Sequence, residues 1–69
     1  MTLWREVLTA LNSPHTAGRE HVLARGAAAL ARSRARPGGP AAEDVRRIAL
    51  EEFGVLLDPL VAQAALESR

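Results

Sequence analysis

No cysteine, lysine or tyrosine occurs anywhere in the 69 residues, and each absence removes something. Without cysteine there are no disulfides and no thiolate metal sites. A chain this short then has to hold itself together by helix packing or by association, because natural domains of this size usually lean on staples or partners. Aromatic residues are almost missing as well, with Trp4 and Phe53 the whole supply. A β-sheet core wants aromatic and β-branched residues, so their scarcity argues against one. No apolar run approaches the ~20 residues of a membrane span. No basic leader followed by an apolar stretch marks a signal peptide, and the expected location is the cytoplasm.

What is present is alanine and arginine. Alanine supplies 14 of the hydrophobic residues, which favours helix. The expected fold is all-α: one domain over residues 1–69, four helices, orthogonal or bundle-like. All nine basic residues are arginine. That bias follows either from GC-rich coding or from selection for guanidinium contacts to phosphate and carboxylate.

Helix starts carry one repeated signal. Ser13-Pro14, Gly39-Pro40 and Asp58-Pro59 each put a capping residue before a proline, which suits the first helical position. Helices are expected at about 2–11, 14–35, 41–53 and 59–67. In the first, Trp4, Val7, Leu8 and Leu11 share one apolar face by their spacing. In the second, Leu23, Ala27, Leu30 and Ala31 form the inward stripe. Gly26, in its middle, is either a tolerated defect or the mark of a close helix crossing. Arg36-Pro37-Gly38-Gly39-Pro40 is the linker. Glu43 and Asp44 sit in the first turn of the third helix, where the dipole favours acids. Val45, Ile48, Ala49 and Phe53 should face inward, and Gly54 should be a left-handed C-cap. Val55-Leu56-Leu57 reads as a short extended connector. Helix four is apolar on most sides, so it is expected either at the centre of the domain or under a partner.

Catalytic groupings are not found. His15 and His21 are six apart and do not share a helix face. Ser13, Ser33 and Ser68 lack a nucleophile-elbow context. Gly38-Gly39 sits between prolines without a phosphate-loop lysine. Glu43-Asp44 and Glu51-Glu52 are adjacent in sequence and point different ways on a helix. The expectation is a non-enzyme with no catalytic residues, no metal, no cofactor and no small-molecule substrate.

Charge is uneven. Residues 1–39 hold six arginines and two glutamates, a net of +4; residues 40–69 hold three arginines and six acids, a net of −3. Arg25, Arg32 and Arg36 lie at i, i+7 and i+11, so they project within about 40° of one another on the second helix. They are the candidates for an acidic partner or phosphate. The plainer alternative is a solvated face, or pairing with the acidic half of the same chain.

Ala49, Gly54, Val55 and Val61 resemble the small, turn-glycine and apolar positions of a helix-turn-helix. Each interval is one residue too long for that motif. Its second helix would offer bases little beyond Gln63 and Arg69. The function expected from these residues is a small interaction or regulatory module that binds a protein partner or a second copy of itself. Its expected apolar interface is Leu60, Val61, Ala65 and Leu66. A DNA-binding regulator and an accessory subunit of an enzyme complex are the alternatives.

Overall fold

Alanine, not leucine, fills the interior of this protein. The computed structural model describes residues 2–13, 18–34 and 37–68. Four helices follow one another without strands among those residues: α1 Leu3–Asn12, α2 Arg19–Ser33, α3 Ala42–Ile48 and α4 Pro59–Glu67. A π-helical turn, Ala49–Phe53, carries α3 onward without a break. The radius of gyration is 11.1 Å, close to the ~11 Å expected of a compact domain this long. None of the helices is long and apolar enough to cross a membrane among the described residues.

α2 is the central helix. It packs against α1, α3, the π turn and α4. Leu23, Ala24, Gly26, Ala27, Ala28 and Ala31 are all buried, a wider strip than the four-residue stripe expected from spacing. The larger core cluster joins α2 to Val45, Ile48, Ala49, Leu57, Ala62 and Ala65. The smaller one seats Val7 and Ala10 of α1 on Leu23. Phe53 and Val55 border both clusters and link them.

Gly26 marks a close crossing. A Cβ built on it would stand 2.9 Å from Val7 Cγ2 and 3.5 Å from the Phe53 ring. Only a residue without a side chain lets α1 sit so low on α2, and that approach offsets the ~1 kcal/mol a mid-helix glycine costs.

Several boundaries depart from the sequence reading. The second helix does not run unbroken through residue 18. Gly18 takes the left-handed conformation (φ 78°) and α2 begins only at Arg19. Pro14 and Ala35, the expected first and last residues of the second helix, lie outside those described, and Ser13 closes the carboxyl end of α1, its N–H donating to the Ala10 carbonyl. The third helix is capped by Ala41 rather than Gly39. Gly39 is left-handed at φ 75° and lies two residues before the extended Ala41, and the cap is made from within the helix. Asp44 Oδ2 accepts a hydrogen bond from the Ala41 N–H at 2.9 Å. Two features agree with the reading. Gly54 closes the π turn in the left-handed conformation (φ 68°). Asp58 Oδ1 accepts from the Leu60 N–H at 2.8 Å, with Pro59 at the first helical position.

The apolar face of α1 is also rotated from the expected one. Val7 and Ala10 are buried, while Trp4 and Leu8 are left outside. In the connector, Leu57 is buried and Leu56 points out.

Candidate groove between helices two and four

Arg32 of α2 meets the carboxyl end of α4. Arg32 Nη2 donates to three backbone carbonyls there: Ala65 at 3.1 Å, Leu66 at 2.8 Å and Ser68 at 2.8 Å. These are carbonyls that the helix itself cannot satisfy, and a cation at the negative end of the dipole suits them. Arg25 Nη2 lies 3.5 Å from Glu6 Oε1 on α1, with both side chains nearly half exposed. The partner of Arg25 thus comes from its own basic half of the chain, and those of Arg32 are backbone carbonyls. Arg36 is outside the described residues.

The same device recurs elsewhere. Arg19 Nε donates to the Ala10 carbonyl of α1 at 2.9 Å, and Arg46 Nε to the Leu57 carbonyl of the connector at 3.1 Å. Glu20 Oε2 accepts from the Asp58 N–H at 3.1 Å. Charged side chains therefore tie one element to the backbone of another. The sequence shows the arginines but not this use, because their partners are carbonyls that every residue possesses.

Arg25 and Arg32 border an open recess of about 220 Å³ whose other walls include Leu3, Glu6, Ala29 and Ala65. A second recess of about 210 Å³ adjoins it, lined by His21, Arg25, Val61, Ala64, Ala65 and Ser68. Arg25, Ala65 and Ser68 belong to both, so the two form one groove between α2 and α4. Two sets of residues singled out separately in the sequence meet here: Arg25 and Arg32 from the cationic set, Val61 and Ala65 from the apolar set.

The other members of the apolar set lie elsewhere. Leu66 is half-buried and packs on the main core, as does Val61. Ala65 is buried in that core and shows the groove only a small face. Leu60 is 79% exposed at the opposite end of α4, near Leu56 at 77%. Sequence spacing missed Leu56 and Leu8. The alternation of the connector and the rotation of α1 that expose them depend on where Leu57 and Val7 find room.

Among the described residues no three His, Asp or Glu side chains gather as a metal site would need. His21 is exposed on α2, and His15 falls outside the described residues. No protein-family model, curated protein or solved structure matches this chain.

Proposed function

We propose that this chain is a non-catalytic protein-interaction module, acting in the cytoplasm and able to self-associate. One observation carries the reading: alanines make up much of the interior while several large apolar side chains lie at the surface. Among the described residues, eight of the thirteen buried apolar ones are alanine, while Trp4, Leu8, Leu50, Leu56 and Leu60 remain exposed. Single exposed leucines are ordinary, but a domain this small needs its large apolar side chains inside. Burying one large aliphatic side chain stabilises by roughly 1.5–3 kcal/mol. Leu8, Leu56 and Leu60 lie largely outside, with Trp4 and Leu50 partly covered, a surplus of apolar surface that a partner recovers.

DNA binding has less support. Arg32 spends a terminal nitrogen on α4, and Arg25 stands beside Glu6. Gln63 donates to Glu67 at 3.1 Å. The segment between the π turn and α4 runs over five residues, 54–58, longer than the three- or four-residue turn of a helix-turn-helix.

The test is photo-crosslinking. A benzophenone amino acid at position 60 should give a discrete adduct, with a second copy or with one partner protein, in cells of the source organism. The same group at Glu43 should not. Equal, diffuse labelling at both positions would overturn the reading.

A further inference from the structure

We infer that the groove between α2 and α4 receives an acidic, apolar-faced segment of a partner protein, an inference that rests on the interaction-module reading above. Charge complementarity is the argument. Three groups that carry or can carry positive charge, His21, Arg25 and Arg32, line the groove against the single carboxylate of Glu6. Arg25 and Arg32 are two helical turns apart, about 10 Å along the axis. Carboxylates on one flank of a bound segment would meet both.

Arg32 is also fixed in advance. Its three hydrogen bonds to α4 all use Nη2. The donors on Nε and Nη1 have no partner among the described residues, and, pointing to different sides of the guanidinium, each can donate a single charge-assisted hydrogen bond to a carboxylate oxygen. Arg25 reaches Glu6 only at 3.5 Å, the outer limit of a hydrogen bond. An incoming carboxylate displaces that contact at little loss.

Between the cations the floor is apolar: Leu3, Ala29, Val61 and Ala65. That floor and the Glu6 carboxylate favour a peptide over a nucleic-acid backbone, which presents phosphate and sugar to its binding surface. The groove is open to solvent, whereas a small-molecule site buries most of its ligand's surface. A row of side chains entering from a partner fits better.

The experiment is a nuclear magnetic resonance titration of the full chain with a defined probe. The probe is a helical peptide of about 15 residues, leucine and alanine on one face and glutamate on both flanks. Its control carries glutamine in place of glutamate. The amides of Ala29, Ala64 and Ala65 should shift with the glutamate peptide. Binding should weaken at least about threefold in Arg25→Gln, and more in Ala64→Glu, which sets a like charge at an exposed groove position. It should also weaken on raising salt, which screens charges beyond a Debye length. Because Arg25 is exposed, neither result depends on disturbing the core.

Equal affinity for the glutamine peptide would overturn the inference, as would the same shifts with duplex DNA, or no shift at the groove amides. Groove amides that stay still while position 60 keeps its discrete adduct would remove the groove assignment alone. Loss of both would remove the interaction reading with it.

Discussion

Val7 Cγ2 occupies the space in which a side chain at Gly26 would begin, 2.9 Å from the Cβ position. Val7 is branched at Cβ and stiff at χ1, so its methyl cannot swing aside. Gly26→Ala should therefore destabilise by about 1 kcal/mol, overpacking exceeding the gain in helix propensity. In a Val7→Ala background the sign should reverse, and Gly26→Ala should add up to ~1 kcal/mol. Urea melts of the four variants check this. Additive effects would mean the two residues do not compete for one space.

Removing the Arg32 guanidinium should loosen the end of α4. Arg32→Gln is expected to lose about 1–2 kcal/mol, since three carbonyls lose a charged donor together. Arg25→Gln should lose at most ~0.5 kcal/mol, the usual worth of an exposed ion pair. Hydrogen exchange provides the finer check. Amides at the carboxyl end of α4 should exchange faster in the first variant and not in the second.

Asp58 holds the other end of α4. Asp58→Ala should lower stability by about 1 kcal/mol, and Asp58→Ser should restore most of it, because serine supplies the same acceptor to the Leu60 N–H. Thermal melts of the pair separate loss of the cap from loss of a negative charge. If both variants fall equally, charge at the helix end and not the hydrogen bond is responsible.

Leu56→Ser and Leu60→Ser should leave unfolding free energy within about 0.5 kcal/mol, as expected of exposed positions. Sedimentation across a concentration series should show self-association in the parent chain and its loss in the double variant. A parent that stays monomeric at the highest concentration would refute the self-association form of the proposal.

Much of this architecture was readable from residue order, and the rest was not for definite reasons. Alanine content and the Asp58-Pro59 and Gly54 signals identify helices and two of their ends, because caps act through atoms only a few residues away. The start of α2 was misplaced, since Pro14 is a good first residue and nothing nearby shows that Gly18 will turn left-handed. Which helix lies at the centre was also hidden. α4 is the more apolar by composition, yet α2 is central because Gly26 and its alanines let three neighbours approach. The groove shows the same division. Arg25 and Arg32 share a face by period alone, but their meeting with Val61 and Ala65 follows from how α2 and α4 cross.

An interior built of methyl groups has a thermodynamic signature. Unfolding heat capacity grows with the apolar area newly wetted, and an alanine contributes little of it compared with a leucine. The exposed Leu56 and Leu60 contribute little further, being largely wet already. The heat-capacity increment should therefore fall at or below the low end of the usual ~12–15 cal/mol/K per residue. Stability should change only gently with temperature around its maximum, and the melting transition of the isolated chain should be broad. A partner that covers the outlying leucines would deepen the curve, so calorimetry of free and bound protein would register in heat capacity how much of the missing core the partner supplies.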